Sequence, residues 1–179
     1  MKEIPLGDVD ACWPRGERVV LVTSVDGAGK ANIIAVGWVM RCNSSPPAFA
    51  ICLGRKSHSC SNISASQEFV IAIPGAGLAE QTMSCGTTSG RDVDKFAEAE
   101  LTAGESRTVK APLILECLAN MECEVVATQE MGDHRVFFGE VKACWESDHN
   151  DRPLLTIGNE SGYELLYERA PFRLGAVKE

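Results

Sequence analysis

Long apolar runs are missing from this sequence. Nothing in it approaches the roughly 18 uninterrupted apolar residues of a membrane-spanning helix, and its longest stretches, such as residues 19–22 and 48–53, are the length of a strand. The first eight residues hold no apolar core of signal-peptide length, so a cytoplasmic protein with no membrane partner is the expectation. Positive charge is also scarce, with 17 Lys and Arg against 25 Asp and Glu and a formal net charge of -8. A general attraction to nucleic acid is therefore not expected, and any bound anion must be held by a local cluster of cations. Closely paired metal ligands are lacking too. The eight cysteines (Cys12, Cys42, Cys52, Cys60, Cys85, Cys117, Cys123 and Cys144) form no C-x-x-C pair, and His58, His134 and His149 form no H-x3-5-H pair. That excludes the usual zinc spacings, and no metal is expected. The scattered thiols read as reduced cysteines, several of them acting as small core hydrophobes, with Cys85 beside Gly86 the candidate for a reactive one.

What remains is an ordinary globular composition, 45% hydrophobic and 23% charged over 179 residues, which suits one domain spanning 1–179. The chain reads as rich in strands. Residues 18–25 (RVVLVTSV) are β-branched, the turn at Asp26-Gly27-Ala28-Gly29-Lys30 follows, and residues 31–36 (ANIIAV) return as a hairpin. Residues 48–53 (AFAICL) and 68–73 (EFVIAI) are two more strands, and Ser57 before residues 58–63 is a helix entry. Short helices are expected at 77–85 and 91–98. In the second half, residues 120–128 alternate with Met121, Cys123 and Val125 on one face, Gly132-Asp133-His134 turns the chain, and residues 135–144 run back. Many short closely spaced strands with inserted short helices argue for a mainly β barrel.

Four stretches could carry chemistry. Residues 69–80 run strand, glycine turn, helix, but the third glycine position of a dinucleotide fingerprint is Glu80, whose carboxylate would repel a pyrophosphate, and no βαβ rhythm surrounds it. Arg55-Lys56-Ser57-His58-Ser59 lies between a buried strand and a helix N-terminus, where a guanidinium fork, an ammonium and free N–H groups suit a terminal phosphate; a solvated basic loop is the bland alternative. In the stretch from Gly29 to Trp38, Asn32 is a polar group in an apolar strand, Gly37 permits close approach, and Trp38 offers a flat surface suited to a ring, or to a core. Residues 85–96 combine small residues with Arg91 and Lys95, and read in isolation as a surface loop capped by Asp92.

Taken in order, these blocks resemble the flavin reductase-like FMN-binding proteins, flavoredoxin-type members above all. The resemblance rests on the block from Gly29 to Trp38, Pro46-Pro47, Arg55 to Ser59, and Glu68-Phe69-Val70 ahead of Ile73-Pro74. It continues through Cys85-Gly86, the run from Ser89 to Phe96, Ala111 to Cys117, Glu122-Cys123, and Gly132 to Val141, so it extends over about 19–141. The chain departs from the family pattern at Ala72, where Asn is common, and at Arg55, which stands two places early.

The resemblance implies a six-stranded Greek-key split β-barrel that forms a homodimer with FMN near the interface. It implies that Asn32, Ile33, Ala35, Gly37 and Trp38 line the ring and ribityl chain. Arg55, Lys56, Ser57 and Ser59 would take the phosphate, and Ser89, Gly90 and Lys95 would close the site, with Lys95 near the ring or ribityl. His134 would face a nicotinamide in members that use NADH or NADPH. The implied function is electron transfer by bound FMN, exchanging with a redox protein or a small-molecule donor and acceptor. The alternatives are an NAD(P)H:flavin oxidoreductase that supplies reduced FMN, and a flavin-binding module without turnover.

Overall fold

The computed structural model describes residues 5, 6, 13, 16–159 and 161–178. Cys12 lies outside them. The β-branched run folds as β1 (Glu17–Arg18) and β2 (Val20–Val25), and the two-glycine turn returns it as β3 (Ala31–Val36). Asp26 builds that turn by accepting from the N–H groups of Ala28 and Lys30, both at 2.9 Å. Gly37 and Trp38 then lead into β4 (Val39–Ser44), a strand too polar to stand out in the sequence, and β5 (Pro47–Gly54) follows. Helix α1 (His58–Ser66) starts where expected, with the Ser57 hydroxyl accepting from the Cys60 N–H. After β6 (Glu68–Ile73), a 3-10 turn at Ala76–Leu78 continues into α2 (Ala79–Thr87). Helix α3 (Lys95–Glu98) is shorter than the expected 91–98, and its cap is Asp94 rather than Asp92, accepting from the N–H groups of Phe96 and Ala97.

The long hairpin is β9 (Ala119–Met131) and β10 (His134–Glu146). Between α3 and β9 lie the two-residue strands β7 (Ala103–Gly104) and β8 (Leu113–Ile114), paired with each other. Met121, Cys123 and Val125 face the core as the alternation requires. Asn120 and Glu122, on the opposite face, are buried as well. The loop over residues 105–112 meets Glu122 through Arg107 and Thr108, and the Asn120 amide bonds the main chain of Ile114 in both directions.

One antiparallel sheet has the strand order β3-β2-β6-β9-β10-β5-β4. Strands β3 and β4 stand at its opposite ends, yet only Gly37 and Trp38 join them, so the sheet must curl until its two edges meet. Strand β6 returns through α1 to lie beside β2, which is a Greek-key connection. The curled sheet encloses one apolar cluster drawn from six of its strands and from α1, including Val22, Ile51, Ile63, Phe69 and Phe137. The fold is mainly β, a split barrel as expected, with seven strands rather than six. A second sheet, ordered β1-β11-β13-β12, is built from β1 with β11 (Leu155–Thr156), β12 (Tyr163–Arg169) and β13 (Phe172–Val177). It packs on α2 through Val19, Met83, Leu154 and Leu174.

Candidate functional site

Strand β3 borders the split, and the sequence-expected residues lie along it. At one end, Asn32 is 3% exposed. Its Nδ2 donates to the Ser59 hydroxyl of α1 at 2.6 Å, while its Oδ1 is buried with no hydrogen-bond partner. Gly90 closes over this amide: a Cβ there would stand 1.8 Å from Asn32 Oδ1 and 3.4 Å from His58 Cδ2. Only glycine lets the loop after α2 come so near. At the other end Trp38 is 60% exposed. Its ring centroid lies 4.7 Å from that of His134, with the planes tilted by 41°. The His134 Nδ1 is 2.7 Å from Asp133 Oδ1. With about 3.3 Å of rise per residue, the two ends of this strip are about 20 Å apart.

A cavity of about 630 Å³ opens beside the Trp38 end. That size suits a ring-bearing small molecule. Ala35, Gly37, Trp38 and His134 line it, as the motifs led one to expect. Other walls were not legible in the sequence: Thr82, Met83 and Gly86 of α2, Cys52 of β5, and Phe172 and Arg173 of β13. These come from segments remote in the chain, and only the α2 contribution had a local signal, in the Cys85-Gly86 block.

The cationic end gathers around the start of α1. Arg91 donates to the Lys56 carbonyl at 3.2 Å, which brings the residue 85–96 loop to the Lys56 turn. Burial, and then the nearby Arg91 guanidinium, hold His58 below its ordinary value; Lys30 and Lys95 push the same way and Asp26 opposes them. Ser57 and Ser59 each accept one bond and keep a hydroxyl proton to donate. Ser89 Oγ accepts from the Arg91 N–H, and the Ser89 carbonyl accepts from Asp92 and Val93 to form the turn that carries Arg91. Arg55 is turned elsewhere. Its Nε pairs with Glu130 at 3.1 Å and its guanidinium reaches the Gly132 carbonyl, which ties it to the β9–β10 hairpin.

Ile33 and Lys95 lie beneath the surface. Ile33 is fully buried in a second apolar cluster with Leu21, Cys85 and Ile114. Lys95, 5% exposed, donates to the carbonyls of Ile33 and Cys85, both at 2.7 Å. Burial lowers its pKa, with the Cys85 thiol acting the other way. Cys85 is itself pushed up to about 11 by burial, against the pull of Lys95. That is the reverse of an activated thiolate, so the expectation of a reactive Cys85 does not hold. Cys60, Cys117 and Cys123 are buried core members, as read. Among the described residues no group of three or more His, Cys, Asp or Glu could hold a metal ion, and no helix is long and apolar enough to cross a membrane.

Comparison with known proteins gives this geometry a family. The model of the flavin reductase like domain matches residues 16–167. The chain belongs to that family. The matched span takes in both ends of the β3 strip, all three helices and the β9–β10 hairpin, and ends within β12. An uncharacterized protein of Archaeoglobus fulgidus is 38% identical over 65% of this chain and 66% of its own length. The FMN reductase (NADH) RutF of Acinetobacter baylyi is 31% identical over 72% of this chain and 65% of its own. These matches thus span about two thirds of the curated relatives. Among solved structures, flavoredoxin from Methanosarcina acetivorans superposes with a TM-score of 0.78 at 27% identity, covering 100% of this chain and 93% of that one. The flavin reductase-like assignment read from the motifs is borne out, and with it the split-barrel fold.

Proposed function

We propose that this flavin reductase-like domain binds FMN along β3, ring at the Trp38 end and phosphate at the start of α1, and works as a redox protein that takes electrons from NADH. The carrying observation is that one strand joins an open cavity beside an exposed tryptophan to the cationic turn before α1, where Arg91 meets Lys56 and Asn32 meets Ser59. The residues present fit the group. Gly37 and Ala35 leave room for a flat ring against β3, and Trp38 offers it an apolar face. Lys56, Arg91, the hydroxyls of Ser57 and Ser59 and the first N–H groups of α1 suit a doubly charged phosphate. Asn32 ties β3 to the start of α1 by donating to the Ser59 hydroxyl. Ser89 and Gly90 shape the loop that closes over that point. Arg55 acts as the anchor of the hairpin that carries His134.

Bound FMN supplies a centre that accepts two electrons as hydride or one at a time. The protein's part is to hold the ring, exclude water on the α2 side and leave the Trp38–His134 side open to a donor. The NADH-linked name of the Acinetobacter relative supports reductase activity, and the flavoredoxin likeness supports tightly held FMN passing electrons onward. A homodimer in the cytoplasm fits this reading: Met40, Val126 and Met131 expose apolar surface on β4 and β9, flanking β5 and β10.

Anaerobic stopped-flow mixing tests the reading. FMN added to the protein should bind with a spectral shift, NADH should then bleach it within turnover time, and His134→Ala should slow the bleaching while FMN affinity holds. Bound FMN that NADH leaves oxidised would make the protein a carrier fed by another donor. No spectral change with FMN would end the flavin assignment.

A further inference from the structure

We propose that the end of the cavity between α2 and β13 is a subsite for a small quinone, with the Thr82 hydroxyl donating to a quinone oxygen and Phe172 lying against the quinone ring. This rests on the FMN reading above and deepens it, because it names the chemical class of an electron acceptor.

Thr82 is 1% exposed and lines the cavity, yet its Oγ1 has no hydrogen-bond partner among the described residues. A helical threonine commonly returns its hydroxyl to the carbonyl four residues back. Thr87 and Thr88 do so, donating to Met83 and Ser84 at 2.9 Å; Thr82 does not. A buried hydroxyl without a partner is costly, so an occupant that brings it an acceptor is favoured. Gly86 lies four residues on, and a Cβ there would stand 3.2 Å from the Ala35 Cβ. Thr82 is therefore one helical turn, about 5.4 Å, from the point where α2 meets β3. The facing segment supplies apolar surface. Phe172 and Leu174 alternate onto one face of β13 and both line the cavity, as does Ile157. Phe172 is 54% exposed and offers its ring to a flat ligand. Its partner across the hairpin, Arg169, donates to the Thr87 hydroxyl at 2.8 Å, which ties this hairpin to α2. The family match ends at residue 167, so Phe172 lies outside the shared pattern. Arg173 is held by Glu168 and by the Gly158 carbonyl, and Glu17 shares the lining, which favours an uncharged ring over an anionic one. An uncharged, flat redox partner with an oxygen for Thr82 is a quinone. Its reduction balances as a hydride from NADH and a proton from water, giving NAD+ and the hydroquinone. The oxygen gains negative charge on the way, which a hydroxyl donor stabilises.

Duroquinone is the probe, because its fully substituted ring does not add to the Cys52 thiol that also lines the cavity. Equilibrium dialysis against the oxidised, FMN-loaded protein should show saturable binding. Thr82→Val keeps the shape and removes the hydroxyl, and Phe172→Ala removes the ring. Each should weaken duroquinone by about two- to tenfold. Thr82→Val should also unfold at the same or a higher urea concentration, since no protein partner is lost with the hydroxyl. No saturable binding to the wild type, or an unchanged duroquinone affinity in either variant, overturns the proposal. A Thr82→Val protein that unfolds at markedly lower urea, or does not fold, overturns it too, because the hydroxyl would then serve the fold. Equal weakening of FMN in Thr82→Val overturns it in favour of a flavin contact, and displacement of duroquinone by NAD+ overturns it in favour of a shared nicotinamide place. Wild-type protein that shows no spectral change with FMN defeats the flavin reading, a result distinct from these, and dialysis against the flavin-free protein then still decides the subsite.

Discussion

At the scale of single residues, the cations around α1 divide by what already holds them. Arg55 is paired with Glu130, whereas Arg91 and Lys56 converge on the turn before the helix. A charge-assisted hydrogen bond contributes roughly 1.5–3 kcal/mol, and each 1.4 kcal/mol or so is tenfold in affinity. Arg91→Ala and Lys56→Ala should therefore each weaken FMN by roughly ten- to a hundredfold and barely change riboflavin, which lacks the phosphate. Arg55→Ala should keep the preference for FMN. Paired titrations with the two ligands check this, and a preference lost only in Arg55→Ala would return the phosphate to that side chain. The sequence placed both arginines in promising blocks. It favoured Arg55 over Arg91, because Glu130, which engages Arg55, is 75 residues further along the chain.

Gly139 shows a different kind of residue-scale constraint. A Cβ there would lie 2.4 Å from Phe69 Cζ and 2.9 Å from the Cys123 Cβ, all within a fully packed part of the barrel. Overpacking of a filled core costs typically 1–3 kcal/mol. Gly139→Ala should lower the urea-unfolding free energy by about that amount with the denaturant slope unchanged. Full stability in the variant would mean that the Phe69 ring can move aside.

At the scale of elements, β9 carries the point at which strand alternation misleads. Glu122 was expected opposite the core face, and a carboxylate there is ordinarily solvated. It is instead fully buried, where it accepts from the N–H groups of Arg107 and Thr108, the Thr108 hydroxyl and the Trp145 indole. Burial by itself would raise its pKa, but these donors outweigh burial and hold it at about 2. The carboxylate thus pins the 105–112 loop to the sheet. Because its pKa is depressed in the folded protein, the stability it contributes is present above the unfolded value near 4.5 and is lost as pH falls from there toward 2. By linkage that contribution is of order 3 kcal/mol. Urea unfolding should weaken across that acid window, and Glu122→Gln should be less stable at pH 7 with a flatter acid limb. An acid limb of equal steepness in the variant would assign the effect to other carboxylates.

At the scale of the whole molecule, closing the sheet brings β3 and β4 together and leaves apolar surface at Met40, Val126 and Met131. A twofold assembly would cover it with a second copy. Light scattering on the FMN-loaded protein should return twice the chain mass of 19.3 kDa at micromolar concentration. A monomer with FMN still bound would refute the dimer. The cavity is also a property of the whole molecule, since its walls come from the barrel, from α2 and from the second sheet.

The sequence by itself determined the local elements and their order. The apolar runs of β2, β3, β5 and β6 and the Ser57 cap are short-range patterns, and the ordered blocks marked the family and the β3 strip. Strand β4 and the second sheet escaped because half-exposed polar strands carry no strong alternation. Only the tertiary structure decided which charges meet. Glu130 engages Arg55, and Arg91 reaches the α1 turn while Lys95 turns inward to two carbonyls. Most of these contacts join residues brought together by strand pairing and by the packing of helices on the sheet, and their partners are chosen by burial and hydrogen-bond geometry.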